Sequence, residues 1–208
     1  MQDRTAPAAK PGQVDGRAAR ALRTHAAIVD ACVSLVEEGE LRPTAPRIAE
    51  RAGVSVRSVF QHFDDLPSLH LAVSRRVGER VAARHHPIDV ALPLAERIEA
   101  FVRQRAELLD VLTPFLRAAQ VHGPFSPEIR HAVNEGNLAL RQEVDQVFGP
   151  ELAGSVGERG GLADALAAAA SWDVWDSLRH DWGRSADEAR AVMARTLRAL
   201  LRGASDGT

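Results

Sequence analysis

The chain has 208 residues, of which 45% are hydrophobic and 26% are charged, and its formal net charge is −2 at pH 7. This length suits a small domain joined to a larger one, and the single cysteine, Cys32, excludes an internal disulfide or a zinc site built from several cysteines. The only lysine is Lys10, which excludes phosphate-loop and Schiff-base lysine chemistry in the body of the fold.

The distribution of charge and apolar residues favours a cytoplasmic protein. Residues 1–63 carry nine basic and seven acidic side chains, so the net negative charge lies in the rest of the chain. There is no N-terminal apolar run of the signal-peptide kind, and the longest uncharged apolar stretch, 165–172, is too short to span a bilayer. We therefore expect a soluble, cytoplasmic protein with an ordinary buried thiol at Cys32.

The N-terminal segment changes character near residue 20. Residues 1–19 mix Pro, Gly, Ala and charge without apolar periodicity, which predicts a disordered arm. From Ala21 onward the apolar residues follow helical spacing and end at Gly39; they are Ile28, Val29, Cys32, Val33, Leu35 and Val36. This stripe predicts the first helix.

Two short helices follow, joined by a tight turn. Thr44 can cap the first of them, which Gly53 ends, and Ser55 can cap the second, which runs over 56–63. A long helix is predicted over 66–83. One helix, two short helices around a glycine turn and a long helix are the arrangement of a helix-turn-helix.

The remainder of the chain repeats helical periods and has no alternating β-branched segment. Pro93 starts one helix and Ser126 another, and a Gly-rich linker follows. A further helix is predicted over 162–182, and a capping box that begins at Ser185 starts the last, over 186–202.

These elements predict an all-α protein of about nine helices. We expect a disordered arm over 1–19, a three-helix helix-turn-helix domain over 20–65 and a second, helical domain over 66–204.

The turn region also matches a known pattern in its residues. The sequence IAERAGVS over 48–55, followed by VFQHF over 59–63, resembles the signature of the tetracycline-repressor (TetR) family of transcriptional regulators. The resemblance covers roughly 22–73, and less specifically 172–179 and the capped final helix. It implies a one-component regulator, here expected to be a repressor, that binds a palindromic operator as a dimer and is released by a small-molecule inducer. The resemblance also implies that the helical domain over 66–204 is the ligand-sensing and dimerisation domain.

The second short helix of such a motif lies in the major groove, where its exposed side chains can meet base edges. Candidate base-reading residues are Val56, Arg57, Ser58 and Gln61. Arg57 can bind guanine in a bidentate manner or can contact only a phosphate, and both readings stay open. The resemblance implies that other residues contact the DNA backbone: Thr44, Ser55, Phe60 and His62.

Three positions depart from the family pattern. Phe60 stands where a tyrosine is frequent, and Pro46 where an arginine is frequent, a role that Arg47 can take over. Leu66 stands where a lysine is frequent, and two aspartates precede it, which favour the helix start but repel phosphates. We therefore expect a modest salt dependence of DNA binding.

A two-fold operator requires a dimer that holds two motifs in register. We expect a homodimer through the last two helices, about 162–182 and 186–202. The alanines over 165–170 allow close approach, and an apolar stripe can supply the contact: Met193, Leu197, Leu200 and Leu201. The alternative is that this stripe belongs to the chain's own core.

A sensing domain also needs a cavity for an unidentified small-molecule effector. Aromatic and leucine residues at helical spacing are candidates to line it, with a few polar contacts, although packing in the core is the alternative for each. The candidate pocket residues are Phe101, Leu108, Leu112, Phe115, His122, Phe125, Asn134, Trp172, Asp173 and Trp175.

Two other classes of function remain open. One is a helical ligand-binding module that has lost DNA recognition, as Phe60, Pro46 and Leu66 suggest. The other is a metal-carboxylate bundle enzyme, because Glu128 and His131 have the Glu-x-x-His spacing of such sites. That spacing occurs only once in the chain, whereas the bundle needs two copies, so we expect no enzyme activity, metal or cofactor.

Overall fold

A computed structural model describes residues 11–123, 126–153 and 159–205, and all of its regular structure is helical. Ten α-helices and one π-helical turn follow in order: α1 Pro11–Glu37, α2 Ala45–Ala52, α3 Val56–His62, α4 Leu66–Ala82, α5 Leu94–His122, α6 Pro127–Val147, α7 Gly149–Ala153, α8 Arg159–Ala169, α9 Trp172–Asp176, the π turn Ser177–Asp181, and α10 Ala186–Ser205. The predicted all-α class is confirmed.

The chain divides into two compact units between Val73 and Ser74, so that α4 begins in the first unit and ends in the second. Within the described ranges, every helix is too short or too polar to cross a membrane.

The first unit is built on the apolar face of α1. The predicted stripe is buried, with Ile28 and Cys32 fully covered. Helix α1 packs on α2, which packs on α3, and Ile48 of α2 and Val59 of α3 are buried as well. Burial raises the pKa of Cys32 to about 12, which confirms the expected buried thiol. Residues of the turn motif, among them Gly53 and Ser55, remain exposed to solvent.

The predicted arm over 1–19 is wrong in its second half. Helix α1 begins at Pro11, and residues 1–10 lie outside the described part of the chain. A proline is tolerated in a first helical turn, and the Ala- and Arg-rich segment over 17–23 consists of good helix formers. Helix propensity therefore extends α1 beyond the residues that its apolar stripe marks.

The second unit is centred on α5, whose first half supplies Ile98, Phe101, Val102 and Leu109 to the core. Helix α5 packs against α6, α9 and α10. The short helix α7 occupies the start of the predicted Gly-rich linker, and its Leu152 is fully buried.

The helix predicted over 162–182 is broken. Helix α8 ends at Ala169, and Ser171 starts α9 with an extended backbone, its side-chain oxygen accepting a hydrogen bond from the amide of Val174. A serine that caps a new helix offers the backbone amides a partner outside the preceding helix, which ends the alanine run there. The chain continues from α9 into the π turn.

The apolar stripe of α10 does not form the exposed surface that the dimer prediction requires. Met193, Leu197 and Leu201 are almost fully buried in the core of their own unit, and Leu200 packs against that core. These residues are therefore intramolecular core, because α10 needs this face to cover α5 and α8. The side chains that α10 leaves exposed are others, among them Val192, Thr196 and Ala199.

Candidate functional site

The turn between α2 and α3 is held by backbone geometry and one cap. Gly53 ends α2 with a positive φ of 66°, a left-handed conformation that favours glycine. Two residues later, the Ser55 side chain accepts a hydrogen bond from the amide of Ser58 at 3.1 Å and so starts α3. The predicted helix-turn-helix is thus formed, and the start of α3 is sharply defined.

One face of α3 is open to solvent. Val56 is 38% exposed and Phe60 is 51% exposed, and both Arg57 and Gln61 are exposed as well. Val59 points the other way, into the core. Val56 and Phe60 are one helical turn apart, so this face of α3 presents apolar side chains to solvent beside the polar ones.

The end of α3 packs on α1 through aromatic rings. The ring of Phe63, which is buried, lies 4.6 Å from the ring of His25, and the half-buried His62 lies edge-on to His25 at 6.3 Å. Phe63 therefore belongs to the buried part of the first unit, whereas the backbone contact expected for His62 stays a prediction.

The arginines around the motif differ in their partners. Arg47 donates to Glu50 at 2.6 Å and lies 3.6 Å from Glu40, so the residue expected to replace the missing arginine is held by two carboxylates. Within the described residues, Arg57 has no hydrogen-bond or ion-pair partner. It is therefore ready to bind an anion or a base edge.

The two predicted N-caps of the motif are not equivalent. Thr44 occupies the N-cap position of α2 but makes no side-chain cap hydrogen bond, and it is exposed.

At the start of α4, the carboxylate of Asp65 accepts a hydrogen bond from the amide of Ser68 at 2.8 Å, as the sequence suggests for the aspartates before Leu66.

The candidate pocket residues are spread over the second unit. Phe101 and Trp175 are buried in its core, whereas Asn134 and Asp173 are exposed. Four others are half-buried: Leu108, Leu112, Phe115 and Trp172. Phe125 and the side chain of His122 lie outside the described part. The pocket as a whole stays a prediction.

Two buried arginines on α5 were missed by the sequence analysis. Arg97 is 4% exposed and Arg105 is 8% exposed, one helical turn on either side of Phe101. A charged residue that interrupts a buried apolar stripe at the i±4 positions is the signal that could have found them. Burial lowers the pKa of Arg105 to about 10, and the charge of Glu143 opposes this effect, so Arg105 is a cation at neutral pH.

An arginine-lined groove of about 680 Å³ lies between α5 and α10. Its five arginines are Arg103, Arg190, Arg195, Arg198 and Arg202. Two of them pair with the acidic side chains of the groove, Arg198 with Glu99 and Arg190 with Asp187.

The residues of the alternative metal site lie at the surface. Glu128 and His131 are both exposed on α6, and His131 is 4.0 Å from Glu135. In the ranges that the structure describes, no three potential ligands among His, Cys, Asp and Glu come together.

Solved structures share this fold. A transcriptional regulator from Rhodococcus sp. Rha1 is 18% identical, with 88% of this chain and 96% of that chain covered and a TM-score of 0.64. A protein from Mesorhizobium loti MAFF303099 described as a TetR-family transcriptional regulator is 17% identical, with 88% and 97% covered and a TM-score of 0.62. The multidrug binding protein EbrR, complexed with imidazole, is 20% identical, with 83% and 93% covered and a TM-score of 0.57.

No protein-family model matches the chain, and no curated protein matches it. The likeness is therefore one of structure, and it extends over both units. The resemblance that the motif predicts is confirmed at this level: the chain has the fold of TetR-family transcriptional regulators.

Proposed function

We propose that the chain is a ligand-responsive transcriptional regulator that binds a palindromic operator through α3. The observation that supports this most strongly is the open face of α3, with Arg57 unpaired among the described residues beside exposed Val56 and Gln61. These three side chains lie within the first turns of the second helix of a helix-turn-helix, the part that meets base edges in a major groove. Arg57 binds guanine, Gln61 adenine, and Val56 packs on a thymine methyl group.

The backbone contacts of the proposed complex come from around this face. Ser55 and Thr44 offer hydroxyl groups and free helix N-terminal amides to phosphates. Phe60 and His62 are the other proposed contacts to the DNA backbone. Arg47 contacts a phosphate only if it gives up a carboxylate partner.

A homodimer holds two copies of α3 for the two operator halves. Because the core takes the apolar stripe of α10, the proposed interface uses exposed residues beside that stripe, Val192, Thr196 and Ala199, together with Ala168 on α8. Helices α8 and α10 pack on one another, and these small exposed residues permit the close helix approach of a four-helix contact.

The second unit is the proposed sensor. An effector that binds better to the conformation unable to hold DNA releases the operator, and a coupling of about 1 to 3 kcal/mol changes the affinity about 5- to 150-fold. Helix α4 contains the division between the units and is the proposed connection. The multidrug-binding neighbour supports a small-molecule role for this fold. The sign of control is repression, because a bound dimer excludes polymerase from an overlapping promoter.

The test is selection of bound fragments from randomised duplex DNA by the purified protein, with Arg57→Ala in parallel and Arg103→Ala as an exposed control in the second unit. We expect an enriched palindrome whose specificity Arg57→Ala loses at one base pair of each half-site and Arg103→Ala keeps. Enrichment by Arg57→Ala of the same palindrome with unchanged specificity would show that Arg57 contacts only phosphate.

A second function, a ligand-binding module without DNA recognition, is favoured by the ion pairs of Arg47 and by the acidic groups close to the motif. Absence of any enriched sequence at low salt, from protein purified under denaturing conditions and refolded to remove bound ligands, would support this module and overturn the proposed regulator.

A further inference from the structure

Two arginines are buried in the second unit, and their partners differ. Arg97 donates to the carbonyl oxygens of Leu92 and Val147 and holds the carboxylate of Glu151 with both terminal nitrogens. Its charge and its donors are therefore satisfied within the fold.

Arg105 has one hydrogen bond in the described structure, from Nε to the carbonyl oxygen of Ala170 at 2.9 Å. Glu143 is too far away for an ion pair and accepts a hydrogen bond from Gln104 at 3.1 Å instead. A guanidinium has five N–H donors, and the charge of Glu143 acts on Arg105 without a hydrogen bond to any of them. The terminal nitrogens of Arg105 thus remain available to an anion.

The apolar surface beyond Arg105 is incompletely covered. Leu108 and Leu112 lie on the Arg105 side of α5, one and two turns further along, and both are only half-buried. Every residue from Val111 to Arg117 is also half-buried, and this stretch includes Phe115 and Leu116. The first half of α5 is packed on its core face, whereas this second half presents leucine and phenylalanine without full burial.

Two neighbouring arginines have carboxylate partners. Arg117 donates to Asp176 at 2.7 Å, and Arg179 lies 3.9 Å from Asp110. The indole N–H of Trp172 donates to the hydroxyl of Thr113 at 3.2 Å. Of these three arginines, Arg105 is the one that has no carboxylate within ion-pair distance among the described residues.

We propose that Arg105 binds the carboxylate of an organic acid effector whose apolar body lies along Leu108, Leu112 and Phe115. This inference rests on the proposed function and gives the chemical class of its effector. The planar fork of a guanidinium suits a carboxylate better than a neutral head group, and the incompletely covered apolar face suits an aliphatic or aromatic body. Since Nε of Arg105 also holds Ala170, the anion binds next to the junction of α8 and α9.

The test compares acids with amides of the same size. Decanoate and decanamide, and 2-naphthoate and 2-naphthamide, are titrated by ligand-observed NMR into the wild-type protein, Arg105→Gln and Arg103→Gln. Gln at 105 retains a donor for Ala170 but has no charge, while Arg103→Gln removes the same charge from an exposed position two residues away. Circular dichroism and thermal unfolding establish that each variant is folded.

We expect the wild type and Arg103→Gln to bind at least one acid about tenfold or more tightly than its amide, and Arg105→Gln to bind both alike. If Arg105→Gln does not fold, Arg105→Lys replaces it and should keep a reduced preference for the acid. The proposal is overturned if the wild type shows no preference, if Arg105→Gln keeps it, or if Arg105→Gln weakens acid and amide binding equally.

Selection from randomised DNA is run on the same preparations, so that the two proposals fail separately. A protein that enriches an operator but does not prefer acids overturns the effector class alone. A protein that prefers acids through Arg105 but enriches no DNA confirms this site and overturns the proposed regulator.

Discussion

The side-chain oxygen of Ser55 accepts a hydrogen bond from the backbone amide of Ser58, 3.1 Å away, and this contact sets the first turn of α3. The amides that a helix N-terminus leaves without carbonyl partners are satisfied by such caps. Because the first turn of α3 also carries Val56 and Arg57, the same hydrogen bond positions the side chains proposed to read bases.

Loss of this cap should destabilise the first unit. We expect Ser55→Ala to lower the free energy of unfolding by about 1 kcal/mol, because the Ser58 amide then keeps only its hydrogen bond to the carbonyl oxygen of Ser55. Thr44→Ala is the matched control, since Thr44 occupies an N-cap position without a cap bond, and its effect should be below about 0.5 kcal/mol. Urea denaturation measures both, and equal losses would show that the Ser55 cap contributes nothing specific.

Removing the charge of Glu50 should strengthen DNA binding. Glu50→Gln releases Arg47 from a 2.6 Å ion pair and removes a negative charge next to the motif. We expect tighter binding at low salt and a salt slope that is steeper by about one counterion. Glu107→Gln, an equal charge change at an exposed position in the second unit, is the control. Unchanged DNA binding by Glu50→Gln would show that Arg47 does not contact DNA.

The ion pair between Glu38 and Arg51 should make a pH-dependent contribution to stability. Arg51 donates two hydrogen bonds of 2.7 Å to the carboxylate and holds the pKa of Glu38 below its ordinary value near 4.5. A lowered pKa in the folded state means that the pair stabilises above pH 4.5 and that this effect is lost as the pH falls through the lowered pKa.

We therefore expect Glu38→Gln to lower Tm slightly at pH 7 and to leave it unchanged at a pH below the lowered pKa of Glu38, where both proteins carry a neutral side chain. The pair is exposed, so salt should reduce the difference at pH 7. A Tm difference that is the same at both pH values would assign the effect to packing rather than to charge.

The buried Arg97 should be essential for the second unit. Arg97→Ala leaves Glu151 without its partner and the Val147 carbonyl without a donor, which should cost about 3 to 5 kcal/mol of unfolding free energy. Arg198→Ala, which breaks the exposed pair with Glu99, should cost less than about 1 kcal/mol. Guanidinium denaturation followed by circular dichroism separates the two. Similar costs would mean that burial adds nothing to the Arg97 pair.

Local signals in the sequence determined the helices and the turn motif. The spacing of Ile28 to Val36, the caps at Ser55 and Ser126 and the capping box of Ser185 and Glu188 each act within one or two helical turns, and all are formed. Such signals depend on the backbone next to them, so the sequence alone predicts them. Two local predictions are exceptions: Thr44 makes no side-chain cap hydrogen bond, and composition without an apolar stripe did not reveal that α1 begins at Pro11.

Only the tertiary structure determined which residues each helix surface contacts. An apolar stripe such as that of Met193 and Leu197 can form either a dimer interface or an intramolecular core. The packing of α10 against α5 assigns it to the core. The Ser171 cap was hidden within an alanine-rich run, and the ion pairs of Arg47 and the burial of Arg105 depend on residues that the fold brings together. Periodicity specifies that a face is buried, whereas packing specifies what buries it, because apolar burial is not directional.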